Sequence, residues 1–299
     1  MYIAAIDIGS NAIRLAIAHL EVPPYYITYR SRKAVRLGSS VFSEGLISEP
    51  IFEDLKSALL QFKNQMENHN VEKLRAIATS AMREAGNNKD VIARLHQQTG
   101  IEVEIISGGE EARLVGLAIS QKIDTAHGNY LLIDIGGGSI ELIAKSEGKT
   151  IKKQSFTIGM VRVLELHKKQ KLPLEQWLPA FVKNELVDFF EDLPPLTNAV
   201  GTGGSMDRFL KLKNFVSQSP DEYLTKKEMK KLYESLTSVG YEERIVKFCL
   251  KPDRADVIIP AAIVTNEIMK LADADKLHLP QVGLKDGVLQ ELSTSISSG

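Results

Sequence analysis

Apolar residues along this chain follow two periods, and one of them occurs twice in the same setting. Residues 2–20, YIAAIDIGSNAIRLAIAHL, run apolar to Asp7 and break at Gly9 and Ser10. They then alternate, with Ile13, Leu15 and Ile17 on one side and Arg14, Ala16 and Ala18 on the other. Residues 130–145, YLLIDIGGGSIELIAK, do the same after Asp134, where Ile140, Leu142 and Ala144 alternate with Glu141, Ile143 and Lys145. Period two after a glycine turn predicts a returning strand. Aligning Asp7 with Asp134 pairs IDIGSNAIRLAI with IDIGGGSIELIA without a gap, at a spacing too long for a solenoid repeat. The chain therefore reads as two halves that open alike: strand, tight glycine turn, antiparallel strand. A dinucleotide fingerprint would need a helix after the glycines and a third glycine where Glu141 stands, so that reading is set aside.

Helical spacing of Ile51, Leu55, Ala58, Leu59 and Phe62 predicts a helix near 48–69. Around it the first half offers strands at 27–37, 74–79 and 102–106 and helices at 88–98 and 108–122. The second half offers strands near 130–134, 139–147, 151–158 and 197–204. Its helices fall near 174–191, 204–212, 225–237, 241–249 and 255–272, and a last one follows Gly283. Interleaved strands and helices indicate an α/β fold. The three leading strands of each half are expected to form an antiparallel meander within a mixed sheet, in domains spanning 1–124 and 125–285.

Composition narrows the function classes. With 43% hydrophobic and 25% charged residues the chain is an ordinary globular sequence, and its single cysteine, Cys249, excludes an intrachain disulfide. The opening MYIAAIDIG has no basic leader and no apolar run approaches a membrane span, so a cytoplasmic protein without a membrane partner is expected. Net charge of −1 and a pI near 6.6 argue against a DNA partner. The basic clusters RSRKAVR (30–36), HKKQK (167–171) and KKEMKK (226–231) read as solvated faces. A polyanionic small ligand stays open, with Lys145, Lys149, Lys152 and Lys153 as residues to track it or as mere hairpin edges.

Glycine turns let anionic oxygens approach backbone N–H groups closely. Two of them bracketing a cleft suit a phosphate chain, with Gly9, Ser10 and Asn11 on one side and Gly136, Gly137, Gly138 and Ser139 on the other. An aspartate beside a phosphate turn calls for a cation, so Asp134 implies Mg²⁺, with Glu141 on the following strand as a second carboxylate. Asp7 is the matching metal candidate in the first half, and Arg14 there takes the place of Glu141. In SGGEEARLVGLAI (107–119), Ser107 and Glu110 form a capping-box pattern with Arg113 one turn on. Glu111 lies on the apolar stripe with Leu114, Val115 and Ala118, where an ionised carboxylate needs a partner or a purpose. It is a candidate for aligning water or a simple helix-dipole carboxylate. Arg83, just past a strand end, is either a phosphate clamp or a salt-bridging residue. The turn at Gly201, Gly203 and Gly204 is either a third phosphate site or a tight strand–helix connection.

Nine stretches together resemble the exopolyphosphatase and guanosine pentaphosphate phosphohydrolase family. They are DIGSNAIRL (7–15), KAVRLG (33–38), ATSAMREAGN (78–87), ISGGEEARL (106–114), IDIGGGSIEL (133–142), IGMVRV (158–163), GTGGS (201–205), RADVI (254–258) and GLKDGVL (283–289). The resemblance implies the duplicated ribonuclease-H-like fold shared by actin, heat-shock chaperones and sugar kinases, two domains with a central cleft. It also implies a closing helix over about 286–299 that packs on the first domain. It implies hydrolysis of the terminal phosphoanhydride of polyphosphate or guanosine pentaphosphate with Mg²⁺, and a homodimer. Glu111 takes the catalytic position, with Glu141 beside it. Asp134, Gly136, Gly137, Gly138, Ser139 and Glu141 take the metal and phosphate positions, and Arg83 the clamp. Position 12 is Ala where the pattern has Ser or Thr, so one hydroxyl contact is absent. The sequence ends at 299 without the helical domains of longer members, which implies weak processivity. Competing readings are a non-hydrolytic polyphosphate or alarmone sensor and a nucleotide-dependent kinase of the same superfold.

Overall fold

Each apolar run around a glycine turn folds as a hairpin at the middle of a sheet. A computed structural model describes residues 1–21 and 25–297; Ser298 and Gly299, the end of the expected closing helix, lie outside the described residues. The first run forms β1 (Tyr2–Ile8) and β2 (Ile13–His19), and β3 (Tyr26–Lys33) extends the antiparallel meander. Both centre strands are buried almost throughout, which explains their near-continuous apolar sequence. After α1 (Leu37–Glu44) and α2 (Glu49–Asn68) come β4 (Val71–Ala78), α3 (Ser80–Glu84), α4 (Asn88–Thr99), β5 (Val103–Ile105) and α5 (Gly108–Ser120). β4 and β5 join in parallel, giving the order β3-β2-β1-β4-β5. The helix α2 lays Phe52, Leu55, Ala58, Leu59, Phe62 and Met66 against the core, and each large side chain so buried contributes about 1.5–3 kcal/mol.

The second run forms β6 (Asn129–Ile135) and β7 (Ile140–Ser146), followed by β8 (Lys149–Phe156). Then come α6 (Met160–Lys168), α7 (Leu174–Phe190), β9 (Asn198–Thr202), α8 (Met206–Leu212), β10 (Tyr223–Thr225), α9 (Lys226–Thr237), α10 (Tyr241–Lys247), α11 (Pro252–Ala255), α12 (Ile258–Leu271), β11 (Lys276–His278) and α13 (Leu284–Ser297). The sheet order is β10-β11-β9-β6-β7-β8. Reading from β8, it repeats the first sheet: three antiparallel strands, then parallel β9 and β11, with β10 added at the edge. This is the duplicated ribonuclease-H-like arrangement of the actin superfold. The chain divides into one compact unit of Met1–Ala118 with the segment from Gly283 onward, and a second of Ile119–Val282. The division falls inside α5. No described helix is long and apolar enough to cross a membrane.

Departures from the expected elements have local causes. The strand expected to 37 stops at Lys33, because Arg36 takes a left-handed conformation (φ 59°) and α1 begins at Leu37. The strand expected to 158 stops at Phe156, and α6 starts after Gly159. Neither α3 nor the three-residue strands β10 and β11 are long enough to show a period.

Candidate active site

The two glycine turns close in the same way. Gly9 N–H donates to Ala12 O at 3.2 Å, and Gly136 N–H donates to Ser139 O at 3.0 Å. The amides of Gly9 and Gly136 therefore close the turns on the carbonyls of Ala12 and Ser139. A Cβ at either position would sit 3.1 Å from the same carbonyl oxygen. The turn carbonyls are drawn away by the start of a helix in each unit. In the second unit Gly136 O accepts from Met160 N at 3.0 Å, Gly137 O from Val161 N and Arg162 N at 2.8 and 3.2 Å, and Gly138 O from Arg162 Nε at 3.0 Å. In the first, Ser10 O accepts from Gly38 N at 2.8 Å and Asn11 O from Arg36 N at 3.1 Å. The approach of α6 needs a glycine at 159, where a Cβ would lie 2.1 Å from Gly138 N. The hydroxyl of Ser10 is buried and bonded to Ser80 Oγ at 3.0 Å.

Strand register sets a row of side chains beside each turn, and the two rows differ in charge. Across the first sheet it runs Ile77, Asp7, Arg14, Arg32. Arg14 Nη1 donates to Asp7 Oδ2 at 2.9 Å, so this aspartate is ion-paired with a guanidinium of its own sheet. Across the second sheet the row runs Thr202, Asp134, Glu141, Ser155. Asp134 and Glu141 are 7% and 1% exposed, and like charges placed opposite on paired strands repel. Each is held by a flanking hydroxyl: Thr202 Oγ1 donates to Asp134 Oδ1 at 2.6 Å and Ser155 Oγ to Glu141 Oε1 at 2.8 Å. Two oriented, buried carboxylates with hydroxyl supports are a fitting donor set for a hard divalent cation.

In the first unit, Glu111 lies buried on the stripe with Leu114, Val115 and Ala118. Arg83 Nη1 donates to Ile106 O at 2.7 Å and lies 3.8 Å from Glu111 Oε2. The arginine thus faces a carboxylate of its own unit. Half of the capping box forms: Glu110 N–H donates to Ser107 Oγ at 3.2 Å. The Glu110 carboxylate instead takes Arg113 through two bonds of 2.7 Å, and this pairing, with Arg75 nearby, holds its pKa below the ordinary value.

The third glycine turn is closely packed. A Cβ on Gly203 (φ 98°) would meet Ile135 O at 2.6 Å, and one on Gly204 would meet the Arg254 guanidinium at 2.2 Å. Side chains are thus excluded at both positions, and the helix beyond has seven residues. Lys145 and Lys152 are engaged by Thr125 Oγ1 and Asp188 O at 2.7 and 2.8 Å. Sequence reasoning missed Thr202, Ser155 and Arg162. IGMVRV was legible as a motif, but nothing in its pattern said that it holds the glycine turn.

The sequence model described as the Ppx/GppA phosphatase family matches residues 17–295. Exopolyphosphatase 1 of Mycobacterium leprae is 24% identical over 311 residues, covering 100% of this chain and 91% of that protein. The crystal structure of an exopolyphosphatase from Cytophaga hutchinsonii superposes with a TM-score of 0.90 at 24% identity, covering 99% of this chain and 98% of that one. The Aquifex aeolicus member of the Ppx/GppA family gives a TM-score of 0.80 at 27% identity, covering 100% and 98%.

Proposed function

The chain belongs to the Ppx/GppA phosphatase family, and from that premise we propose that it is a phosphohydrolase releasing terminal phosphate from polyphosphate or guanosine pentaphosphate. The observation that carries this reading is the Asp134–Glu141 pair beside a turn whose carbonyls are all drawn back. A turn held so presents its amides, and those of Gly137, Gly138 and Ser139 meet phosphate oxygens. Asp134 and Glu141 would hold Mg²⁺, which when bound offsets phosphate charge. Glu111, facing Arg83, takes the proton of a water whose oxygen attacks the terminal phosphorus. The P–O bond to the preceding phosphate breaks, releasing inorganic phosphate and a chain one unit shorter. Arg14, held by Asp7, offsets charge on the transferred group, where positioning and electrostatics supply most of the rate. The exopolyphosphatase relatives favour polyphosphate as the substrate.

Phosphate release measured side by side from tripolyphosphate, long-chain polyphosphate and guanosine pentaphosphate, with Mg²⁺ and no acceptor, tests the proposal. Release from polyphosphate is expected. Saturable binding without release from any of them would make the protein a sensor.

A further inference from the structure

The carbonyls of the Gly136–Gly138 turn are held by α6, but not all in the same way. Gly136 O and Gly137 O accept from backbone amides of Met160, Val161 and Arg162, whereas Gly138 O accepts from a side chain, Arg162 Nε at 3.0 Å. The duplication supplies an internal control. Asn11 occupies the position of Gly138 in the first unit, and its carbonyl is held by the backbone N–H of Arg36 at 3.1 Å. Both units thus restrain the same carbonyl, and only in the second is the restraint a removable side chain.

That carbonyl matters because of the geometry of its peptide. In a trans peptide the C=O of Gly138 and the N–H of Ser139 point in opposite directions. Holding the carbonyl toward Arg162 therefore aims the Ser139 N–H the other way, away from the Arg162 side chain. Glycine at 138 removes side-chain resistance on one side of this peptide, leaving Ser139 and the grip on the carbonyl to hold its orientation. A flip would replace a donor with an acceptor where an anion is to bind.

We propose that Arg162 is a positioning residue that holds the Gly138–Ser139 peptide in its anion-binding orientation. The inference rests on the reading of this turn as the phosphate cradle. Its competitor is a plain brace, in which Arg162 only fastens α6 to the sheet.

Equilibrium binding of tripolyphosphate and of inorganic phosphate to Arg162→Ala, made in a Glu111→Gln background to prevent turnover, separates the two. Losing one charge-assisted hydrogen bond should weaken binding about tenfold to a hundredfold. Millimolar methylguanidinium, filling the vacated space, should restore affinity in the alanine variant and leave the Arg162 parent unchanged. Unaltered affinity in Arg162→Ala overturns the proposal. So does weakened affinity that methylguanidinium does not restore, since a brace lost from the chain gives that result together with a lower melting temperature. The outcome for the wider reading is separate. If the chain with Glu111 intact releases no phosphate from any substrate while the binding loss and rescue are observed, hydrolysis is excluded and the role of Arg162 stands. If the Arg162 parent binds neither anion, both fall.

Discussion

Thr202 and Ser155 each direct a hydroxyl at a carboxylate that faces another carboxylate. With its 2.6 Å bond to Asp134 Oδ1, Thr202 fixes the orientation of that carboxylate. Thr202→Val keeps the shape and removes the donor, so the Mg²⁺ concentration for half-maximal activity should rise about 10–100-fold, the usual effect of losing a ligand's support. A metal titration of phosphate release reads this directly, and an unchanged midpoint removes Thr202 from the site. Glu111 makes a different prediction, because the proposed reaction has it take a proton and not hold substrate. Glu111→Gln should lower turnover by about 10²–10⁴ while tripolyphosphate affinity stays close to that of the unsubstituted protein. Stopped assays paired with calorimetry give both quantities, and undiminished turnover would assign Glu111 to the helix dipole alone.

Among the elements, α5 is the one that carries Glu111, and α13 holds it in place. A Cβ on Gly287 would lie 2.0 Å from Leu114 O, so the two helices touch backbone to backbone. Arg75, Glu110, Arg113 and Glu291 form an ion-pair network across the same junction. Gly287→Ala should destabilise the protein by about 1–3 kcal/mol through overpacking, read as a lower urea midpoint. The network adds a pH dependence. Arg113, through its hydrogen bonds, holds the Glu110 pKa below its ordinary value of 4.5. The contribution is therefore full above that value and fades as pH falls through the lowered one. Glu110→Gln should flatten the loss of melting temperature below about pH 4.5 relative to the unsubstituted protein. The sequence made the long elements legible, since α2 and the twin hairpins repeat their periods over enough residues. It also marked Glu111 as a carboxylate on an apolar face. It could not show that Gly203 and Gly204 pack against Ile135 and Arg254, because a glycine in a phosphate loop and one under a guanidinium look identical in one dimension. Arg83 was ambiguous for a similar reason: only folding reveals that it turns toward Ile106 O and Glu111.

On the scale of the molecule, the two units carry hairpins of one geometry and different charge. Asp7 faces Arg14 across one strand pair, and Asp134 faces Glu141 across the other. The first row is a partly buried ion pair that stabilises its own sheet. The second places two carboxylates together, and a cation held there would lower their repulsion. Sequence alone treated both aspartates as metal candidates, because the alignment matches them and register decides what each one meets. The distinction can be measured without substrate. A ligand that binds the folded state alone at a hundred times its Kd stabilises it by about 2.7 kcal/mol, so Mg²⁺ should raise the melting temperature of the intact protein. Asp134→Asn should abolish that rise and, by relieving the repulsion, cost little stability in metal-free buffer. Asp7→Asn should do the reverse, lowering the metal-free melting temperature by leaving Arg14 without its carboxylate while preserving the Mg²⁺-induced rise. If Mg²⁺ stabilises Asp134→Asn as much as the intact chain, the cation is held elsewhere and the asymmetry between the two rows has another purpose.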